Sequence, residues 1–136
     1  MSLVTMRGMF PGGNSGQAGL IAEASGLRAA ATLLPATVNR VDTVAGAADG
    51  VLVPSALAGA VCFVINATAT SMQVFGQSSN DANPLQTVGN DVEDQLVAAA
   101  NSTLVAGATG LAQAAHIPAI YVCAVIGVWK QYLCVS

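Results

Sequence analysis

The stretch that decides the fold is DGVLVPSALAGAVCFVIN, residues 49–66. Side chains alternate between two faces along an extended strand. Val61, Phe63 and Ile65 therefore share one face of the predicted strand, and Cys62 and Val64 share the other. Both faces are apolar, so the sequence predicts a strand that is covered on both sides. Because the chain has so few charges, we expect another protein molecule to cover the second side.

The composition differs from that of an ordinary free monomer. The 136 residues are 54% hydrophobic and only 8% charged, whereas about 25% of residues are charged in a typical domain. The length suits one domain. A membrane-spanning helix needs about 20 consecutive apolar residues, and the sequence contains no such run. It begins without the apolar centre of a signal peptide. From both observations we expect a soluble chain that stays inside the cell and has no membrane partner.

The charge pattern argues against a nucleic-acid partner. The net charge is −3 and the isoelectric point is near 4.6. The basic residues are dispersed along the chain: Arg7, Arg28, Arg40 and Lys130. Nucleic-acid binding needs clustered Lys and Arg that neutralise phosphates. The sequence therefore predicts no nucleic-acid partner.

Residues 1–27 are predicted to form an extended N-terminal arm, and residues 28–136 a β domain. Gly12, Gly13, Gly16 and Gly19 follow one another closely, a density that predicts no regular element up to residue 19. Such an arm becomes ordered when it lies against a neighbouring subunit.

The rest of the chain shows a β pattern. About eight short strands at spacings near 8–12 residues are typical of an all-β sandwich or barrel. Parallel strands need long crossovers, usually helical, and residues 36–76 contain no amphipathic helix pattern. The sequence therefore predicts antiparallel β pairing over the rival α/β fold, while residues 91–100 fit either a short helix or a loop leading to a strand. The predicted core residues are Phe63, Ile65, Val74, Val122 and Trp129.

Residues that often carry chemistry are few and dispersed. His116 is the only histidine, and no G-x-S-x-G nucleophile motif accompanies it. Asp91, Glu93 and Asp94 form the one acidic cluster, which lacks the ligand spacing of a calcium loop. We expect a solvated turn or a helix N-terminus there, and a structural or surface role for His116.

The three cysteines are predicted to be free thiols. Cys62, Cys123 and Cys134 have apolar neighbours, which is typical of buried small hydrophobic residues. No Cys-x-x-Cys or Cys/His spacing indicates a metal site. The sequence therefore predicts a protein that is not an enzyme, with no catalytic, metal or cofactor site.

The order of motifs resembles that of small virion proteins of tailed bacteriophages. The resemblance covers residues 37–76 and 117–132. It rests on an Asn-Arg strand, an A-x-D-G-V-x-V-P strand, a V-I-N strand, a Q-V-F-G strand and a terminal G-x-W hairpin. It implies an antiparallel β-sandwich, specifically a jelly roll, in a protein that decorates or cements the phage head.

This resemblance implies a function without an active site. The protein is expected to bind the outside of the capsid, cement neighbouring major capsid subunits and associate with itself as a dimer or trimer. Its location is then the capsid exterior, after synthesis in the host cytoplasm. The alternatives are a tail-fibre or receptor-adhesion sandwich module and, from another class, a small enzyme or ligand-binding barrel. The candidate capsid or self contacts lie in the arm: Leu3, Val4, Met6, Arg7, Met9 and Phe10.

Overall fold

The computed structural model describes residues 15–24, 26–78, 94–99, 103–106 and 109–135. These residues form a β-rich fold of two sheets, which confirms the β prediction at that level. In the described segments, no helix is long and apolar enough to cross a membrane. One short 3₁₀ turn, Arg28–Ala30, precedes the first strand of the smaller sheet.

The larger sheet has seven described strands. In spatial order they are β1 (Gly16–Ile21), β3 (Val38–Thr43), β5 (Val61–Asn66), β10 (Pro118–Val125), β11 (Val128–Leu133), β7 (Gln95–Val97) and β8 (Leu104–Ala106). The smaller sheet has four, in the order β2 (Thr32–Leu33), β4 (Gly50–Leu52), β6 (Met72–Phe75) and β9 (Leu111–Gln113). The chain therefore alternates between the sheets from β1 to β6.

The prediction of antiparallel sheets is wrong, because both sheets are mixed. β1, β3 and β5 pair in parallel in the larger sheet, and β2, β4 and β6 pair in parallel in the smaller one. A parallel pair needs a long crossover, but that crossover need not be a helix. Here the connection from β3 to β5 passes through β4 in the other sheet. A jelly roll is built from antiparallel strands, so this pairing does not confirm it.

Part of the predicted arm is a strand of the larger sheet. Gly16–Ile21 pairs with β3, so the expectation of no regular element up to residue 19 is wrong for this segment. Gly19 has φ +76°, and the register shifts between Gln17 and Leu20. Glycine reaches this backbone conformation without steric cost. Gly19 therefore permits an irregular edge strand in a segment whose many glycines had indicated a loop.

The core draws on both sheets. One cluster of buried side chains includes Val41, Val64 and Trp129 from the larger sheet and Met72 and Val74 from the smaller one. The predicted burial of Val74 and Trp129 is confirmed.

The predicted facing of two central strands is wrong. In β5 the buried side chains are Cys62, Val64 and Asn66, and Phe63 and Ile65 are only half-buried on the opposite face. Val122 in β10 is likewise half-buried. Because both faces of these strands are apolar, hydrophobicity alone does not determine which one points inward.

The region that the sequence left open between a short helix and a loop is described in part. Gln95–Val97 is a strand, which pairs in parallel with β11 and antiparallel with Leu104–Ala106. Both the helix and the loop alternative are therefore wrong for Gln95–Val97, while the strand expected after the loop is present at Leu104–Ala106. Positions 91–93 and 100–102 lie outside the described residues.

The ring of Phe75 lies between two glycines. A Cβ atom built on Gly110 would lie 2.8 Å from the Phe75 ring, and Gly110 has φ +74°. A Cβ on Gly50 would also collide with this ring. These close approaches explain why glycine stands at both positions.

We expect Gly110→Ala to lower the free energy of unfolding by about 2–4 kcal/mol, since it combines left-handed strain with overpacking against Phe75. Gly59→Ala is the matched control, because Gly59 has φ +90° but no atom near its added Cβ. Urea denaturation of both variants isolates the packing contribution. Equal losses in the two variants would show that Phe75 moves aside without cost.

Candidate interaction surface

The outward face of the larger sheet carries a cluster of apolar side chains on its two central strands. Phe63 is the cross-strand partner of Ile120, and Val61 is the partner of Val122. All four are half-buried, whereas their sequence neighbours on the inner face are buried. We call this set, together with Ile65, the outer apolar face.

The neighbouring strands extend the outer apolar face sideways. Val38 of β3 pairs with Phe63, and Tyr132 of β11 pairs with Ile120. Val38 is 38% exposed and Tyr132 is 52% exposed. One row of apolar and aromatic side chains therefore crosses four adjacent strands, a continuity that scattered surface hydrophobic residues lack.

Charged side chains lie around this row. Arg40 pairs in register with Ile65 and forms an ion pair with Asp42 through Nε and Oδ1 at 2.8 Å. Lys130 stands beside Val122 on the other side. The ion pair is exposed, so it contributes little to stability. An apolar centre with a charged rim is the common anatomy of a protein interface.

A buried polar network connects residues of the two sheets. Gln113 of β9 donates to the carbonyl oxygens of Val64 and Ile117, both at 2.8 Å. Its own side-chain oxygen accepts from the Tyr121 hydroxyl at 3.0 Å, and Gln131 donates to that hydroxyl at 2.9 Å. Burial raises the pKa of Tyr121 well above its ordinary value. The phenol therefore stays neutral. The hydrogen bonds of Gln113 with Val64 and Tyr121 connect the smaller sheet to the larger one.

Two asparagines shape the loops beside β5. The Asn39 amide donates to the Ala36 carbonyl oxygen at 2.7 Å, and the Asn39 side-chain oxygen accepts from the Ala36 amide at 3.0 Å. Asn66 accepts from both the backbone amide and the hydroxyl of Thr68. Both asparagines are buried, and these hydrogen bonds satisfy polar groups that are costly to bury unpaired.

The residues of the types that often carry chemistry do not come together. His116 is exposed in the turn before β10, where its backbone amide donates to the Thr68 carbonyl. Asp94 is buried and accepts from the Ala56 amide at 2.8 Å, so the predicted solvated turn or helix start is wrong at this residue. Asp91 and Glu93 lie outside the described residues. Within the part of the chain that the structure describes, no His, Cys, Asp and Glu side chains form a metal-binding group.

The cysteines divide into two kinds. Cys62 and Cys123 are buried as predicted, but Cys134 is exposed near the end of the chain. Burial raises the pKa of the Cys62 thiol to about 12, although a hydrogen bond from Asn39 lowers it in part. Burial also raises the pKa of Cys123. Thiolate is the reactive form of cysteine, so these two thiols are unreactive in the folded protein.

We therefore expect iodoacetamide at pH 8 to label Cys134 rapidly and to label Cys62 and Cys123 only after unfolding. Mass spectrometry of the labelled peptides, with and without urea, measures the three rates. Cys134→Ser is the control that removes the fast phase. Rapid labelling of Cys62 in the native protein would contradict its burial in the core.

The predicted contact residues of the arm, Leu3 to Phe10, lie outside the described residues, and their role stays a prediction. Sequence reasoning did not single out Val38, Ile120 and Tyr132 as surface contacts. The sequence did contain a signal for Ile120, because AIYVCAVIG, residues 119–127, is apolar on both faces in the same way as residues 61–65.

No family model, curated protein or solved structure matches this chain.

Proposed function

We propose that this protein is a structural virion protein that binds the outside of a bacteriophage capsid and bridges neighbouring major capsid subunits. The observation that carries this proposal is the outer apolar face, a continuous row on the two central strands and their neighbours. Contiguous exposed apolar surface of this kind is typical of protein–protein contacts. The choice of the major capsid protein as the partner rests on the order of sequence motifs, which resembles that of phage virion proteins.

The bridging role follows from the physics of repeated weak contacts. Each copy offers a small apolar area, and a small interface alone gives weak binding. A capsid presents the same site many times, so a copy or oligomer that touches several subunits gains affinity by multivalency. Bridged subunits separate less readily, which stabilises the head against the pressure of packaged DNA.

The proposal includes the architecture and the oligomer. We propose that the two sheets pack face to face as a β-sandwich, since one buried cluster contains side chains of both sheets. Face-to-face packing leaves the other side of the larger sheet free for a partner. A dimer or trimer of this chain would then present several copies of the outer apolar face to the shell.

Co-sedimentation tests the proposal. The full-length protein is mixed with empty shells of the major capsid protein from the same phage and, separately, with glycans from the surface of the host bacterium. We expect saturable binding to the shells and retention of the shells at higher temperature. Binding to glycans without binding to shells would overturn the capsid role and support the tail-fibre or receptor-adhesion alternative.

A further inference from the structure

An open, mostly apolar cavity lies where the loops beside β5 meet. Its volume is about 350 Å³, and its lining includes Leu34, Pro35, Pro54, Leu57 and Ala60. This volume lies near the lower end of the range for small-molecule pockets. The cavity is therefore suited to one or two large side chains of a peptide.

The described chain begins at the edge of this cavity. Ser15 is part of the lining. Its carbonyl oxygen accepts from the Val38 amide at 3.0 Å, and its hydroxyl oxygen accepts from the Thr37 amide at 3.2 Å. Both bonds attach Ser15 to the start of β3, so residues 1–14 connect to the fold at this cavity.

The sequence before Ser15 supplies apolar side chains within reach. Phe10 stands five positions earlier, and an extended chain advances about 3.3–3.6 Å per residue. Phe10 can therefore lie up to roughly 17 Å from Ser15, or turn back to it through Pro11, Gly12 and Gly13. Attachment through a short linker gives a high effective concentration at the cavity. This favours docking within one chain over docking from another molecule.

We propose that the cavity is the docking site for the chain's own residues 1–14, with Phe10 as the buried anchor. This inference goes beyond the capsid proposal and does not depend on it. An aromatic side chain exposes a large apolar area to water when it leaves a binding site. In this cavity Leu57, Pro54 and Ala60 would cover the ring of Phe10. Contact between the arm and a neighbouring subunit then requires the arm to leave this cavity.

Limited trypsin digestion of the full-length protein tests the docking. Arg7 lies in the arm, so cleavage after Arg7 reports the fraction of molecules in which the arm is free. We expect Phe10→Ala to speed this cleavage about tenfold or more, since it removes the anchor. Leu57→Glu should have a similar effect, because it places a charge in the cavity. Leu57 is 54% exposed, so this change leaves the core intact.

Two controls separate docking from unfolding. Leu133→Glu changes an exposed leucine away from the cavity and should leave cleavage after Arg7 unchanged. Cleavage after Arg40, within β3, reports global unfolding and should stay slow in every variant. The double variant Phe10→Ala with Leu57→Glu should be no faster than the faster single variant, because both changes remove one contact.

Three results would overturn the proposal. Equal cleavage rates in wild type and in Phe10→Ala would show that Phe10 is not an anchor. A fast Phe10→Ala together with an unchanged Leu57→Glu would place the anchor outside this cavity. Protection of Arg7 that rises with protein concentration would show that the segment docks on a second copy.

Discussion

Trp129→Ala should lower the free energy of unfolding by about 3–5 kcal/mol, the usual cost of removing a large buried aromatic side chain. Trp129 is 0% exposed and belongs to the cluster shared by both sheets. Its indole Nε1 donates to the Pro54 carbonyl oxygen at 3.0 Å. The substitution therefore opens a cavity and also removes a hydrogen bond to the loop after β4. A domain of this size is stable by only about 5–15 kcal/mol.

Two further variants separate the causes of this loss. Trp129→Phe keeps most of the apolar contact but loses the indole donor, so we expect a smaller cost, about 1–3 kcal/mol. Tyr132→Ala truncates an aromatic residue of the same strand that is exposed, and it should change stability by less than about 1 kcal/mol. Circular dichroism during urea denaturation measures all three. A loss below about 1 kcal/mol for Trp129→Ala would place the ring at the surface.

Local patterns predicted the strands well because strand formation depends on features that a short segment contains. The segments AVCFVIN and TSMQVFG are rich in β-branched and aromatic residues between turn signals, and they form β5 and β6. The terminal hairpin was also predicted, but its turn lies at Ile126 and Gly127, one position before the Gly127 and Val128 that the sequence indicated. These strands could be predicted without knowing which other strands they pair with.

Strand pairing was predicted wrongly because it depends on the path of the whole chain. The absence of a helix pattern between residues 36 and 76 excludes only helical crossovers, and β4 provides a crossover through the second sheet. β4 satisfies its backbone hydrogen bonds by pairing within the smaller sheet. The crossover can therefore contain a short strand in place of the usual helix.

The facing of β5 was predicted wrongly for a different reason. Phe63 and Ile65 are larger than Cys62 and Val64, so hydrophobicity favoured the wrong face. In the structure Asn66 lies on the same face as Val64 and is buried, where it forms hydrogen bonds with the turn at Thr68 and Thr70. Buried polar groups require such partners, and a single sequence does not reveal them.

The same reversal places the larger side chains on the candidate surface. The sequence correctly raised the question of what covers a strand that is apolar on both faces. The side chains of the inner face belong to a buried cluster that also contains side chains of the smaller sheet. Phe63 and Ile65 instead remain half-buried on the outer face, where Phe63 pairs with Ile120 and Val38. Our proposal assigns that face to another protein molecule.

Ile120→Lys should abolish most binding through the outer apolar face while leaving the fold intact. Ile120 lies at the centre of the row, between Phe63 and Tyr132 on the adjacent strands. An ammonium group at the centre of an apolar interface loses its hydration without gaining a partner. We expect shell binding and self-association to weaken at least about thirtyfold, equivalent to about 2 kcal/mol. In the free protein the lysine stem lies along the sheet and its charge reaches water.

Ile126→Lys is the matched control, because Ile126 is an exposed isoleucine in the turn of the same hairpin. The same chemical change at a position beside the row should alter binding little. Analytical ultracentrifugation measures the oligomer, co-sedimentation measures shell binding, and urea denaturation checks that both variants stay folded. If both lysine variants bind shells as the wild type does, the outer apolar face is not the attachment surface. If Ile120→Lys alone loses binding, the row across β3, β5, β10 and β11 is where the partner covers the second side of the strand.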